Sequence, residues 1–403
     1  MALGEHDDTA RESVRRLVVS PAFLSVMLIT SMLPLSVAVS PAFPGMADSL
    51  NVSDAQIGLV ITAITLPPML VSPVVGIAGD ILGRRRIAIP GLLLFGVGGI
   101  GVAFTDSFAI VLVLRGLQGI AMAGIAPLTV TLLGDMYTGT QRTTAQGIRS
   151  SVGGFVVAVG PLVAGALAGF AWQYPFYLYA LGLLVMIPVY LYVPETAPES
   201  EATESVRTSL GEYKQSIADE IGDVSMLVML LGGFVRFFSL FGFVTFIPIF
   251  AIRVLGTTPF VAGVIVAMSG VRILLSPTAG WWVARLSRRR TLLVTLGLQA
   301  ICFALIPFVP GVKSLGALAL LFGIGDSLFD PVINDATTSM VADENRNGVV
   351  GGLRVLKEAG KTAAPAALGG VLAVTGHGMV FGTMFAVVVG YAVCIFLFVG
   401  HRW

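Results

Sequence analysis

Charged residues are scarce in this chain of 403 residues, where Asp, Glu, Lys and Arg together make up only 12%. That is about half the usual share in a soluble domain. Hydrophobic residues make up 56%. A chain so poor in charge cannot cover a large water-facing surface, so most of it must face lipid. The net charge of +1 gives no basis for nucleic-acid binding, and we expect none.

Histidine and cysteine are also rare, with three and two residues. His6, His377 and His401 lie near the predicted tails and membrane edges, and Cys302 and Cys394 lie inside apolar runs. The sequence has neither a Walker loop, nor a clustered metal-ligand set, nor a Ser/His/Asp set. We therefore expect no enzyme activity, no ATP-driven pumping and no bound cofactor, which leaves a proton gradient as the driving force.

Long apolar runs recur along almost the whole chain. Each has roughly 20 residues, the length at which a helix crosses a hydrocarbon core of about 30 Å. The period-two alternation of a transmembrane strand is absent. The sequence therefore predicts an all-α membrane protein with twelve spans, which cover residues 19–40, 55–78, 87–104, 108–132, 144–169, 174–193, 225–252, 259–283, 291–309, 314–340, 348–374 and 379–400.

Arginines are concentrated in alternate connections between the spans. They include the triplets at 84–86 and 288–290, together with Arg142 and Arg346. The other connections carry few basic residues. By the positive-inside rule, both termini are expected in the cytoplasm and the protein in the cell's inner membrane.

An internal repeat determines the predicted architecture. A constant offset of 204 residues relates several Pro, Gly and Arg positions between the halves. The pairs are Pro73 and Pro277, the arginine triplets at 84–86 and 288–290, Pro127 and Pro331, Pro161 and Pro365, and Gly165 and Gly369. We therefore expect two six-helix bundles related by a pseudo-two-fold axis along the membrane normal, an arrangement suited to alternating access.

The repeat also sets the predicted boundaries. Residues 1–18 form a cytoplasmic tail, 19–193 the first bundle, 194–224 a cytoplasmic linker and 225–403 the second bundle. Apolar residues at helical spacing over 210–221 predict a short amphipathic helix on the membrane surface within the linker. The alternative is a mostly disordered linker.

Three motifs follow in order along the first half. The first, at the end of span 2, contains Gly76, Asp80, Gly83 and Arg84, and Gly83 permits a tight turn before the arginines anchor the inner face. Span 4 carries Arg115 and Gln118, and it is followed by Asp135 and Arg142. Span 5 carries Gly160, Pro161 and Gly165, with Ala164 between them.

Together, the motifs, the twelve spans and the repeat resemble the major facilitator superfamily, and in particular its twelve-helix drug:proton antiporter group. The resemblance implies that Gly76, Asp80, Gly83, Arg84, Asp135 and Arg142 form a conformational switch, in which the loop after span 2 makes charge pairs with the ends of spans 4 and 11. It also links Arg115 to proton coupling, and Gly160, Pro161 and Gly165 to antiport. Because Ala284 replaces the acid in the second-half copy of the first motif, the resemblance places the switch mainly in the first half.

Charged residues embedded in the spans of the second half also indicate where a functional site could lie. There are eight: Arg236, Arg272, Asp326, Asp330, Arg354, Lys357, Glu358 and Lys361. Exposing all of them to lipid would cost about 20 kcal/mol or more, so they should face the bundle interior or an aqueous cavity. Asp326, Asp330 and Asn334 share one face of span 10, and the charges at 354–361 share one face of span 11.

The charged faces of spans 10 and 11 could have either of two roles. In one, they form ion pairs between helices, with Arg354, Lys357 and Glu358 as the structural candidates. In the other, an acid exchanges protons while other side chains meet substrate. Asp330 is then the first coupling candidate, with Asp326 second, and Lys361, Arg354 or Arg272 is its expected partner. The expected substrate contacts are Arg236, Arg272, Lys361, Gln118 and Asn334.

The leading hypothesis is a proton-coupled exporter of small amphipathic compounds, acting as a monomer in the bilayer. The alternative is a uniporter or proton symporter for an organic anion or another small metabolite, because cations outnumber acids among the embedded charges. A receptor or lipid-modifying enzyme is a third class. The preserved repeat argues against it, because neither function requires two symmetric bundles.

Overall fold

The structure, a computed structural model, describes residues 19–195, 224–341 and 346–400, without the surroundings of residues 73, 74, 76, 77, 80 and 347. The predicted tail of residues 1–18 and the predicted amphipathic helix of the linker lie outside these ranges.

Twelve long helices occupy the described ranges, and each predicted span falls on one of them. They are α1 (Pro21–Ser49), α2 (Leu59–Leu82), α3 (Arg84–Phe104), α4 (Phe108–Met136), α5 (Gly139–Ala168), α6 (Tyr174–Tyr192), α7 (Val224–Arg253), α8 (Pro259–Leu286), α9 (Arg288–Phe308), α10 (Val312–Ser339), α11 (Arg346–Thr375) and α12 (His377–Phe398). Eleven are long and apolar enough to cross a membrane. The other is α11, which is as long but carries the charged stripe at 354–361.

Two of the second-half helices are interrupted, and prolines lie at or just after two of the breaks. In α8 the regular helix breaks after Met268 and again at a short 3-10 turn that contains Pro277. In α10 it breaks at Leu328, just before Asp330. Pro331 has no amide hydrogen to donate to the carbonyl of Ser327, so the proline favours this break. All three interruptions lie within a few residues of Arg272 or Asp330.

The helices pack in the same way in the two halves. Helix α1 packs against α5 as α7 packs against α11, α2 against α4 as α8 against α10, and α3 against α6 as α9 against α12. Between the halves, α5 packs against α8 and α2 against α11, and these two interfaces are equivalent under the repeat. The fold is two six-helix bundles around a central axis, as the repeat predicted.

Large apolar side chains are exposed along the outside of the bundles. Val113 is 63% exposed and Leu184 60%, while the bundle interior holds rings such as Phe95 and Phe322 at 0%. An apolar exterior of this kind is stable in hydrocarbon and not in water.

The helix connections define two ends of the molecule. The arginine-rich end holds the α2–α3 and α8–α9 connections with their triplets at 84–86 and 288–290. The opposite end holds the ends of α1 and α7 and the start of α12, where Asp48, Arg253 and His377 lie.

Candidate functional site

A central cavity of about 400 Å³ lies between the two bundles. Its first-half wall is mostly apolar and includes Leu33, Val37, Ile61, Ile64 and Met122. Its second-half wall is charged and aromatic and includes Arg236, Phe237, Phe241, Arg272, Arg354, Glu358 and Lys361. The volume lies within the range of small-molecule sites. The cavity can therefore bind a compound that is apolar on one side and polar on the other.

Asp326 is the most buried of the embedded acids, with its side chain only 1% exposed. Arg236 reaches it from α7 with an Nε to Oδ1 distance of 3.1 Å, and Arg272 reaches it from α8 at 3.7 Å. Two cations thus surround one carboxylate, which fastens α7, α8 and α10 together.

Asp330 lies one helical turn further along α10 and is more accessible, with its side chain 32% exposed. It pairs with Lys357 of α11 at 2.9 Å and with Arg236 at 3.4 Å. The prediction that Asp330 pairs with Lys361, Arg354 or Arg272 is therefore wrong. Sequence spacing shows which residues share a helix face but not which neighbour that face meets, and α7 packs against both α10 and α11.

The charged stripe of α11 divides into paired and unpaired members. Lys357 also donates to Asn334 Oδ1 at 2.8 Å, and Lys361 pairs with Glu358 at 2.6 Å. Arg354, predicted as an ion-pair residue, instead lies exposed on the cavity wall and has no acidic partner among the described residues.

A second cavity continues from the charge cluster toward the arginine-rich end. It shares Arg236 and Arg272 with the central cavity, and Asp326 and Asp330 contribute to its lining. Ser150 of α5 lies on its wall. The cluster therefore stands between two cavities, and Asp330 can reach solvent from this side.

Two predicted site residues lie away from the central cavity. Arg115 is fully buried, and its Nη1 donates to Gln118 Oε1 at 3.0 Å and to the Tyr179 hydroxyl at 3.1 Å. Its guanidinium lies 4.9 Å from the centre of the Phe176 ring. Gln118 donates to the Phe95 carbonyl of α3 at 2.9 Å. Its face of α4 packs inside the first bundle. The prediction that Gln118 lines the cavity is therefore wrong.

The first motif forms a compact corner at the arginine-rich end. Arg84 pairs with Asp135 at the end of α4 at 3.0 Å, as the switch resemblance implies. Gly83 has φ of +99°, a conformation that disfavours side chains, and an added Cβ would collide with the Glu195 carboxylate. Glu195 also accepts from the Arg85 amide at 3.1 Å. Sequence reasoning missed Glu195, because it lies just inside the predicted linker.

Other members of the switch motif are less defined. Gly76 and Asp80 lie in α2, but their surroundings fall outside the described part of the structure. The guanidinium of Arg142 lies against Gly134, where an added Cβ would be 3.3 Å from Nη2.

The second half has its own ion pair at the arginine-rich end. Arg288, at the start of α9, pairs with Asp335 near the end of α10 at 2.7 Å. Ser287 replaces the turn glycine and keeps the positive φ, at +77°. This pair joins the start of α9 to the end of α10 as the Arg84–Asp135 pair joins the start of α3 to the end of α4. The expectation that the latch lies mainly in the first half stays a prediction.

The third motif divides between two interfaces. A Cβ on Gly160 would lie 2.9 Å from the Ala38 side chain of α1, within the first bundle. A Cβ on Gly165 would lie 2.5 Å from the Pro259 carbonyl oxygen of α8, across the boundary between the halves. Pro161 faces the same boundary, since a Cβ on Gly263 would collide with its carbonyl oxygen.

Ion pairs join the two halves at the opposite end. Arg253, at the end of α7, pairs with Asp48 at 2.6 Å and with Asp54 at 3.0 Å, and it donates to the Pro44 carbonyl at 3.1 Å. His377 lies 3.6 Å from Asp54. One arginine of the second half thus closes the cavity by binding two acids of the first.

Comparison with known proteins decides the family. The family model described as Major Facilitator Superfamily matches residues 20–272 and 229–402, nearly all of the chain. The chain belongs to the major facilitator superfamily. Members of this superfamily are multi-pass membrane transporters, so the chain is a transporter and not an enzyme.

Curated relatives within the superfamily include an exporter and two resistance proteins. The chain is 32% identical over 145 residues to the Bacillibactin exporter of Bacillus subtilis (strain 168), covering 34% of this chain and 36% of that protein. It is 24% identical over 337 residues to Multidrug resistance protein 2 of the same organism, covering 82% and 83%. It is 30% identical over 152 residues to Quinolone resistance protein NorA of Staphylococcus aureus, covering 37% and 39%. The matched region thus spans less than half the length of the Bacillibactin exporter and of NorA.

Solved superfamily structures share the fold at low identity. A mutant of the nucleoside transporter NupG has a TM-score of 0.80 at 14% identity, covering 94% of this chain and all of that one. A bacterial homologue of the lysosomal transporter Spinster has a TM-score of 0.76 at 17% identity, covering 93% and 96%. The human organic anion transporter MFSD10 has a TM-score of 0.63 at 18% identity, covering 94% and 99%.

Replacing Arg253 by Gln should open the transporter at the end that this arginine closes. The substitution removes two ion pairs and leaves Asp48 and Asp54 facing each other. Partly exposed pairs contribute about 0.2 to 1 kcal/mol each, so the loss of two pairs should raise the ratio of open to closed forms about 2- to 30-fold.

The measurement is labelling of a cysteine introduced at Ile61, which lines the cavity, in a chain lacking Cys302 and Cys394. An impermeant maleimide added at the opposite end should react faster in the Arg253→Gln variant. Lys313→Gln, an exposed cation at the start of α10, is the matched control. Equal labelling in all variants would show that these ion pairs do not hold the end closed.

Proposed function

We propose that this transporter exports small amphipathic compounds across the cell membrane, driven by proton entry. The observation that carries the proposal is the charge cluster between the two cavities. There, Asp330 pairs with cations of α7 and α11 that lie at or beside the cavity wall. Protonation of Asp330 would therefore free these cations, which couples proton binding to the charge that the cavity presents to a compound.

The orientation follows from the arginines. With the arginine-rich end and both termini in the cytoplasm, the Arg253 contacts lie on the outer side. This orientation favours an inward-facing state, with the Arg253 ion pairs joining the halves on the outer side and the second cavity lying toward the cytoplasm. Export requires the α5–α8 and α2–α11 interfaces to rock so that the outer end opens.

Asp330 is the proposed coupling acid. When ionised, it holds Arg236 and Lys357; when protonated from the outside, it releases them. Asp326 is the second candidate, because two arginines surround it at 1% exposure and hold it more firmly. Arg115, sealed between α1, α4 and α6, would keep the first bundle rigid while the halves move. We propose that the unit is a monomer and that transport needs no cofactor besides the proton gradient.

The relatives support export of amphipathic compounds over uptake. Three of them are named as a bacillibactin exporter, a multidrug resistance protein and a quinolone resistance protein. The structural neighbours include a nucleoside transporter and an organic anion transporter, so the fold alone favours no single substrate.

Flux into proteoliposomes tests the proposal. In these vesicles, the arginine-rich end of the transporter faces the bath. The lumen is one pH unit more acidic than the bath, and the membrane potential is clamped at zero. For one proton per uncharged compound, such a gradient can sustain about a tenfold accumulation. We expect several-fold accumulation of aromatic amphipathic dyes, abolished by a protonophore. Equilibration without accumulation would contradict proton coupling and favour a uniporter.

A further inference from the structure

The ion pairs of the second half leave positive charge in excess. Five basic and three acidic side chains are embedded there, an excess of two positive charges. Arg236, Arg272 and Lys357 share Asp326 and Asp330, and Lys361 is paired with Glu358.

Arg354 is the member of the set that stands alone. Among the described residues it has no hydrogen bond, ion pair or aromatic contact, and it lies exposed on the wall of the central cavity. It is one turn of α11 away from Glu358, whose carboxylate is already paired with Lys361 at 2.6 Å. A charged side chain within a membrane-spanning helix is costly, so an unpaired one facing a cavity marks a site for a charged ligand.

The opposite cavity wall has a different chemistry. Leu33, Val37, Ile64 and Met122 of the first half present an apolar surface to the cavity. On the second-half wall, the ring of Phe237 is flanked by cations, with Arg236 4.7 Å and Lys361 4.8 Å from its centre. The cavity therefore has an apolar side and a cationic side.

We propose that the transported compounds are amphipathic organic anions. The anionic group binds Arg354, and the apolar body rests against the first-half wall. A guanidinium binds a carboxylate through two parallel hydrogen bonds, which gives the site its orientation as well as its charge preference. This inference rests on the proposed function, since it names the substrate class of the same cavity.

Equilibrium binding of three compounds of the same size tests the inference without a proton gradient. The compounds are 2-naphthoate, the neutral 2-naphthamide and the cationic 2-naphthylmethylammonium, each radiolabelled and bound to the full chain in lipid nanodiscs. We expect the wild type to bind the naphthoate at least tenfold more tightly than either of the others.

Variants assign the preference to one residue. Arg354→Gln should bind naphthoate and naphthamide alike, while Arg354→Lys, which keeps the charge without the planar fork, should retain a smaller preference. Arg285→Gln is the matched control, because Arg285 is an exposed arginine that stacks on Trp281 at 4.0 Å near the arginine-rich end. It should behave like the wild type.

Two results would overturn the inference. One is wild-type binding of the amide or the ammonium compound as tight as that of naphthoate. The other is an Arg354→Gln variant that folds, binds naphthoate and keeps the full preference for naphthoate over naphthamide. Because binding is measured without a gradient, loss of proton-driven flux would count against the proposed coupling and leave the anion site unaffected.

Discussion

Asp330→Asn should abolish accumulation driven by a pH gradient while leaving exchange of compound at equal pH. Asparagine keeps the shape and a hydrogen-bonding oxygen but cannot carry a proton or a negative charge. Arg236 and Lys357 would then be permanently released from this partner, as they are in the protonated form of the wild type. The cavity should still bind and exchange compound, but proton movement and compound movement should no longer be linked.

The control for Asp330→Asn is an exposed acid outside the charge cluster. Asp106→Asn removes an acid from the short connection between α3 and α4, where Asp106 is exposed. It should keep gradient-driven accumulation. Both variants are compared in the acidic-lumen vesicles and in a counterflow assay without a gradient. Gradient-driven accumulation retained by Asp330→Asn would move the coupling site elsewhere, with Asp326 as the next candidate.

Adding a side chain where the two halves touch should hold the transporter open at the opposite end. Gly165 and Gly369 are equivalent under the 204-residue offset, and a Cβ on each would lie 2.5 Å from a carbonyl oxygen of the other half. The carbonyl belongs to Pro259 in one case and to Ala55 in the other. Overpacking of this kind costs about 1 to 3 kcal/mol even inside an adaptable core, and a leucine is larger than a Cβ.

We expect Gly165→Leu and Gly369→Leu each to lower transport at least tenfold, because the closed form becomes rare and the cycle cannot complete. Labelling of a cysteine at Ile61 from the opposite end should rise in both, which distinguishes a locked state from misfolding. Gly370→Leu is the matched control, since an added Cβ there meets nothing within 4 Å. Normal transport by Gly165→Leu would show that this interface does not need to close during the cycle.

Much of the fold was predictable from local sequence. In lipid, every backbone polar group must find its partner within the helix, so an apolar run of sufficient length has a single regular structure available. The twelve spans and the two halves followed from this and from the repeat. The Arg84–Asp135 pair followed from the motif resemblance, since both residues lie at helix ends whose neighbours the family pattern already implies.

The site was only partly predictable. Arg236, Arg272 and Lys361 line the cavity as the embedded charges indicated, but Gln118 lies inside the first bundle and Asn334 binds Lys357. The ion pairs of Arg253 across the halves had no sequence signal, because the partners are about 200 residues apart and lie at helix ends that carry few charges.

The sequence by itself determined which segments span the membrane, that they form two equivalent halves, and that charge is concentrated in the second. Only the tertiary structure decided which charges are paired. The rotation of each helix about its own axis, set by close packing against its neighbours, brought Asp330 to Arg236 and Lys357 and left Arg354 facing the cavity. Helical periodicity places residues on a common face, but the partner of that face is chosen by the packing of all twelve helices together.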